Sequence, residues 1–214
     1  MGSNGKARSL TLHILFILLV GLLVSVPEVL AADIDGDGNT DLLVVNAQSN
    51  DLSILAGDGT GSFGAATTIG VGARPLGLAV ADVNRDGRLD VVVANGGADH
   101  LTVLLGSGSG GLTKVADART GSQPRAIAVG DFNGDGKPDL AVANQGASTL
   151  SILIGDGTGA FGAPTAMATA SGPSALVAAD FNGDGKLDLA IVNQGAGTVT
   201  VLLGHGDGTF GITP

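Results

Sequence analysis

Past the first thirty or so positions, apolar residues come in short alternating runs separated by stretches rich in Gly, Asp and Asn. Around the middle of the chain GLAVAD enters an acidic loop, VVVAN leaves it, and HLTVLL and KVADAR follow. Alternation over a few residues, bounded by turn signals, predicts strands near Leu78–Ala81, Leu89–Asn95, His100–Leu105 and Lys114–Arg119. No stretch holds a helical period long enough to compete. The pattern recurs with a spacing of 49 residues: EVLAAD, GLAVAD, AIAVGD and ALVAAD enter the loops, and the runs that leave them end at Asn46, Asn95, Asn144 and Asn193. Four-stranded units at such a period predict an all-β chain of β-propeller blades, each of four antiparallel strands. The first strand of each unit is rich in Ala, Gly, Val and Leu, small enough to crowd around a central axis.

The units fall at about residues 28–74, 75–123, 124–172 and 173–214. The last is expected to be incomplete, because the chain stops at Pro214 before the strand equivalent to Lys114–Arg119 can form. With no strand ahead of the first unit, no closure by strand exchange is expected. The reading is a partial or open propeller: a fragment of a longer protein by preference, otherwise an oligomer of partial propellers or a four-bladed ring. Open sheet edges invite self-association.

Residues 1–27 follow a different rule. Lys6 and Arg8 precede an apolar run from Leu10 to Val26, the charged and hydrophobic regions of an export signal, with a retained N-terminal anchor as the second reading. Val29-Leu30-Ala31 is the best small-residue cleavage pattern, yet the same residues read as the first strand. His13 lies inside the apolar run and is assigned no chemistry.

The acidic loops carry the chemistry. DIDGDGNTD, DVNRDGRLD, DFNGDGKPD and DFNGDGKLD share the form Asp-x-Asn/Asp-x-Asp-Gly-x-x-Asp. Oxygen side chains at positions 1, 3, 5 and 9, with a main-chain carbonyl at 7, make a cage for a hard cation. The candidate ligands are Asp33, Asp35, Asp37 and Asp41; Asp82, Asn84, Asp86 and Asp90; Asp131, Asn133, Asp135 and Asp139; and Asp180, Asn182, Asp184 and Asp188. The carbonyl donors would be Asn39, Arg88, Lys137 and Lys186. Gly38, Gly87, Gly136 and Gly185 at position 6 permit the sharp turn. An EF-hand would need Glu at position 12, where Val44, Val93, Val142 and Ile191 stand. Up to four Ca2+ are expected, one per loop and structural in role, with Mg2+ as the runner-up ion because it demands tighter octahedral geometry. The second loop, with Arg85 where the others have Gly36, Gly134 and Gly183, is expected to bind more weakly.

Composition sharpens this picture. Thirteen of the 20 acidic residues sit in those four loops, so without a cation each cluster repels itself. A formal charge of −10 argues against nucleic acid as a partner. The absence of Cys removes disulfides, thiolate metal sites and cysteine nucleophiles.

On these loops, together with Phe63-Gly64, Phe161-Gly162 and Phe210-Gly211, the chain from about Glu28 to Pro214 resembles the FG-GAP (VCBS-type) repeat family, also found in the head of integrin α chains. The second unit departs from it with Gly111-Leu112. The resemblance implies a propeller, commonly seven-bladed, with Ca2+ between the first two strands of a blade, and roles in adhesion, ligand binding and scaffolding. Seven blades of this period take about 343 residues, more than the 214 present.

The functional expectation is a secreted or cell-surface, calcium-binding, noncatalytic adhesion scaffold whose ligand is an extracellular protein or glycan. The membrane would be touched only through the N-terminal segment if it is uncleaved. The alternatives are an accessory propeller region of a secreted enzyme and a lectin-like carbohydrate-binding module. No catalytic triad or cofactor motif is seen, so no enzyme activity is expected. His100 and His205 read as exposed turn residues, the GDGTG turns as hairpins and not phosphate loops, and Phe63, Phe132, Phe161, Phe181 and Phe210 as packing between blades. The recurring Asn46, Asn95, Asn144 and Asn193 read first as turn caps, with a ring of ligand contacts as the lesser reading.

Overall fold

The computed structural model describes residues 28–212, so the segment read as an export signal lies outside the described residues. The chain forms four antiparallel sheets, each a simple up-and-down meander of four strands. The first contains β1 (Val29–Ala32), β2 (Asp41–Asn46), β3 (Asp51–Leu55) and β4 (Thr67–Gly70). The second contains β5 (Pro75–Ala81), β6 (Asp90–Asn95), β7 (His100–Gly106) and β8 (Leu112–Arg119). The third contains β9 (Pro124–Gly130), β10 (Asp139–Asn144), β11 (Thr149–Leu153) and β12 (Thr165–Ala168). The fourth contains β13 (Pro173–Ala179), β14 (Asp188–Asn193), β15 (Thr198–Gly204) and β16 (Phe210–Ile212). Among the described residues no helix is long and apolar enough to cross a membrane.

The sheets stack face to face. One apolar cluster, including Leu43, Leu52, Leu78 and Val91, lies between the first and second sheets. A second, including Val92, Leu101, Leu140 and Val142, joins the second to the third, and a third, including Phe132, Leu150, Leu189 and Ile191, joins the third to the fourth. This explains why β6 and β10 are apolar without alternation: each is buried at every position because a sheet lies against both faces. β2 alternates between buried and half-buried positions. The small-residue first strands pack side by side, β1 with β5, β5 with β9 and β9 with β13. This is the blade-and-axis arrangement of a propeller, left open.

The outer strand of the fourth sheet comes from a different segment than the outer strands of the first and third. A short β16 does form, with Phe210 pairing with Gly204 and Ile212 with Leu202. The Phe-Gly segment itself supplies the strand. In the first and third sheets the equivalent pairs, Gly57 with Phe63 and Gly155 with Phe161, are isolated bridges that precede the outer strand. In the second sheet, where Leu112 replaces the Phe, one strand runs unbroken from Leu112 to Arg119, with a bulge opposite Val103/Leu104.

Candidate metal centres

Each acidic loop joins the innermost strand of a sheet to the next, and each is built on the same hydrogen-bonded frame. The position-1 carboxylate turns inward: Asp33, Asp82, Asp131 and Asp180 accept from the position-6 glycine N–H at 2.9, 2.8, 2.8 and 2.8 Å. The position-3 oxygen accepts from the N–H of position 5, at 3.1 Å for Asp35 and 2.8 to 2.9 Å for Asn84, Asn133 and Asn182. The position-5 carboxylate in turn accepts from the N–H of position 7, at 2.7 Å for Asp37 and 2.9 Å for Asp86, Asp135 and Asp184. These bonds require the position-6 glycines to adopt φ between +77° and +87°, which L side chains avoid. The frame occupies two or three acceptor positions on each position-1 carboxylate, for instance the N–H groups of Gly134, Asp135 and Gly136 on Asp131, and leaves others free, since a carboxylate offers about four acceptor sites.

Position 9 behaves differently. Asp41, Asp90, Asp139 and Asp188 open the second strand and are fully buried. One oxygen accepts from the N–H of position 2, for instance Phe132 to Asp139 at 3.0 Å. The other accepts at 2.8 Å from the N–H of the glycine at or just past the end of the third strand, Gly57, Gly106, Gly155 or Gly204. Those glycines were missed as site residues in the sequence, where they read as ordinary turn glycines. A Cβ on any of them would sit 2.1 Å from the backbone oxygen of Thr40, Leu89, Pro138 or Leu187, so the turn can reach the aspartate only without a side chain. Their fixed position 16 residues after each position-9 aspartate was the available signal.

The electrostatics follow from this geometry. Burial pushes Asp90 and Asp139 above the ordinary carboxylate range, with N–H donors only partly offsetting it. Hydrogen bonds hold others below it: the Asn39 N–H for Asp37, the Lys137 N–H for Asp135 and the Gly185 N–H for Asp180. Asp35 is pulled down by the Asp37 N–H, but desolvation and the neighbouring charges of Asp41, Asp37 and Asp33 outweigh that bond and leave it raised.

In the first loop Asp33, Asp35 and Asp37 bring carboxylate oxygens within 4.8 Å of one another. Asp41 stands outside that trio, at the base of the loop. An all-oxygen donor set of this kind fits a hard cation such as Ca2+. In the other loops position 3 is an amide, and in the second and third the position-7 side chain takes an unexpected part. Arg88 lies 3.6 Å from Asp86, and Lys137 lies 3.2 Å from Asp135. Asn39 gives Asp37 only a neutral hydrogen bond of 2.9 Å.

Arg85 adopts φ +63°, close to the +76° to +79° of Gly36, Gly134 and Gly183 at the same position. The second loop thus keeps the family turn at a cost in backbone strain. It also lacks the 2.7 to 2.8 Å bond that those three glycines give the position-1 aspartate.

The remaining candidates are resolved by burial. Asn95, Asn144 and Asn193 are fully buried, and their amides donate to the hydroxyls of Thr102, Ser151 and Thr200 at 2.9 Å, so they pin strands, while the Oδ1 of each is buried without a protein partner. His100 is not an exposed turn residue: it opens β7, half-buried, with Nδ1 2.8 Å from the Ala98 carbonyl and Nε2 3.5 Å from Asp117. Phe132 and Phe210 meet edge to face with centroids 5.6 Å apart. Phe181 departs from the expected packing and is exposed on the fourth sheet. Where the inner strands converge, a cleft of about 440 Å³ is lined by Glu28, Leu76, Arg125, Ile127, Ser174 and Leu176. Burial raises the Glu28 carboxyl there, opposed by the Leu78 N–H and the Arg125 charge.

No curated protein matches the sequence. Among solved structures, the chain resembles BBS1N, determined in complex with ARL6DN, at a TM-score of 0.62 and 14% identity, covering 90% of this chain and 57% of that one. It also resembles a protein from Lactobacillus plantarum at a TM-score of 0.61 and 20% identity, covering 81% of this chain and 53% of that one. The chain therefore spans little more than half the length of either, and at these identities the likeness is one of fold. The profile of the FG-GAP-like repeat matches four times, at residues 33–93, 82–142, 131–191 and 180–214, each match beginning at the first aspartate of a loop. The chain belongs to the FG-GAP-like repeat family.

Proposed function

We propose that this chain is a noncatalytic calcium-binding scaffold, exported to the cell surface or beyond, that presents its blades to a protein or glycan ligand. The observation that carries the reading is the convergence of Asp33, Asp35 and Asp37 within 4.8 Å, in a loop frame repeated four times. Like charges so close favour a divalent cation strongly over water. Asp33, Asp35, Asp37, Asp41 and their counterparts would hold the ion, with the carbonyls of Asn39, Arg88, Lys137 and Lys186 as further donors. The ion would tie the innermost strand of each sheet to its neighbour and so fix the face offered to a ligand. Export fits the N-terminal segment and also fits extracellular calcium levels, at which such modules bind with Kd of about 10⁻⁴ to 10⁻³ M.

The test is calorimetric titration with Ca2+ and Mg2+, paired with melting in calcium and in chelator. At ~10 mM Ca2+ and a Kd of ~1 mM, each occupied loop stabilises the fold by about 1.4 kcal/mol. Binding of up to four ions, a Tm lowered by chelator and a loss of one ion in Asp131→Ala are expected. Heat of binding that is absent for both ions, or unchanged stoichiometry in Asp131→Ala, would sink the assignment. Tighter binding of Mg2+ than Ca2+ would replace the ion.

A further inference from the structure

Three Asn-Gly pairs lie among the described residues, and the fold treats them differently. Asn133-Gly134 and Asn182-Gly183 occupy positions 3 and 4 of the third and fourth loops, where both glycines are exposed. Asn95-Gly96 closes β6, with its asparagine at 0% exposure. The pair matters because the main-chain nitrogen after an asparagine can attack that residue's own side-chain amide, and a following glycine leaves the approach unobstructed.

The loop frame supplies the groups that this attack needs. The Gly134 N–H donates to Asp131 Oδ1 at 2.7 Å, and the Gly183 N–H to Asp180 Oδ1 at 2.7 Å, so a carboxylate stands at each nucleophile to take its proton. The amide oxygens under attack, Asn133 Oδ1 and Asn182 Oδ1, accept from the N–H of Asp135 at 2.9 Å and of Asp184 at 2.8 Å, donors that stabilise the negative charge developing there. Neither aid exists at Asn95: the Gly96 N–H is committed to the Arg74 carbonyl at 2.9 Å, and Asn95 Oδ1 is buried with no partner. The second loop has the donor without the base. Asn84 Oδ1 accepts from the Asp86 N–H at 2.9 Å, but the next residue is Arg85, whose side chain crowds the nitrogen and whose N–H makes no bond to Asp82.

We propose that Asn133 and Asn182 are sites of spontaneous deamidation, with Asp131 and Asp180 as the proton acceptors. The Gly134 nitrogen bonds to Asn133 Cγ, its proton passes through Asp131 to the departing Nδ2, and the Cγ–Nδ2 bond breaks to release ammonia and leave a cyclic imide. Water then opens the imide at one of its two carbonyls. Opening at Cγ gives an aspartyl residue, the type that Asp35 already provides at this position of the first loop. Opening at the main-chain carbonyl gives an isoaspartyl residue, which routes the chain through the former side chain and displaces the acceptor of the Asp135 N–H. The same steps run at Asn182 with Gly183 and Asp180. Each event adds one negative charge to a chain already at −10. The reaction needs no bound ion, so it stands apart from the calcium reading.

The test incubates the full chain with chelator in mildly alkaline buffer, folded and in concentrated urea, and follows each asparagine by peptide mass mapping. In the folded chain Asn133 and Asn182 should react at least about 100-fold faster than Asn95 and Asn84, the low end of what one positioned proton acceptor contributes. In urea the three Asn-Gly pairs should converge. Asp131→Asn should slow Asn133 by a similar factor while Asn182 serves as the internal reference, and Gly134→Arg should bring Asn133 down to the rate of Asn84, with circular dichroism checking that both variants fold. The wild-type comparison requires neither variant. Equal folded rates at Asn95 and Asn133, or a rate at Asn133 that Asp131→Asn leaves unchanged, overturns the proposal.

Discussion

Replacing Asp139 by Ala should destabilise the protein even when no calcium is present. Its carboxylate is fully buried and accepts from two backbone N–H groups, Phe132 at 3.0 Å and Gly155 at 2.8 Å. Removing it orphans both donors, each costing about 1–3 kcal/mol when water cannot reach it. Relief of the buried charge, which already pushes the Asp139 carboxyl upward, offsets part of this, leaving a net loss of about 2–4 kcal/mol. For a domain of this size that is a fall in Tm on the order of 10 °C. Asp131→Ala in the same loop also strips acceptors from backbone N–H groups, but those of Gly134, Asp135 and Gly136 are exposed and can turn to water. Its cost in chelator should stay below about 1 kcal/mol.

The assay is thermal and urea unfolding of both variants and of Asp139→Asn, with chelator and with calcium. Asp139→Asn keeps one acceptor and sheds the buried charge, so in chelator it should lie between wild type and Asp139→Ala, while in calcium it should lose the ion of the third loop. Equal melting of Asp139→Ala and Asp131→Ala in chelator would refute the view that position 9 is a structural pin as well as a ligand.

Arg85→Gly should raise stability by about 0.5–1 kcal/mol, since left-handed backbone costs a non-glycine residue about 1–2 kcal/mol and glycine gives back part of this in unfolded-chain entropy; calorimetry should also show tighter calcium binding in the second loop, and a destabilised variant would count against the strain argument. Gly155→Ala, whose Cβ would fall 2.1 Å from the Pro138 carbonyl oxygen, should cost more than about 3 kcal/mol, and a melting curve matching wild type would show that the turn can move aside. If the chain is exported with its first sheet whole, the mature N-terminus should lie ahead of Val29, because a cut after Ala31 removes most of β1 and the Glu28 carboxylate that accepts from the Leu78 N–H at 2.7 Å. Intact-mass measurement of exported protein decides this, and a chain starting at Ala32 would show β1 to be dispensable.

The sequence displayed whatever was periodic. Four phased copies of a nine-residue loop announced both the blades and the oxygen cages, because each copy repeats the same local hydrogen bonds within a few residues. What was hidden depended on contacts across sheets. Phe181 and Phe132 share a repeat position and a residue type, yet one is exposed and the other buried, because burial is set by the neighbouring sheet. His100 looked like a turn residue until the register of β7 with β8 placed it opposite Arg119 and near Asp117. The bond from Gly155 to Asp139 spans a whole hairpin, and nothing in local turn propensity separates that glycine from the others around it. Arg85 shows the opposite failure: residue type argued against a left-handed turn, and the hydrogen-bonded frame imposed one regardless.

The four loops are therefore unequal in a way that follows from charge and strand length together. The first carries four aspartates and no basic residue, the third and fourth three aspartates and one lysine each, and the second three aspartates with Arg85 and Arg88. Tethered cations such as Lys137 are surface partners worth little in themselves, so they soften the repulsion inside a loop without supplying the coordination a divalent ion gives. The first loop has no such relief, and it also serves the weakest hinge among the described residues: β1 has four residues there, where β5, β9 and β13 have seven. The site with the greatest electrostatic need for an ion is thus the one whose strand pair has the fewest ladder bonds. Calcium should accordingly do most for the first sheet.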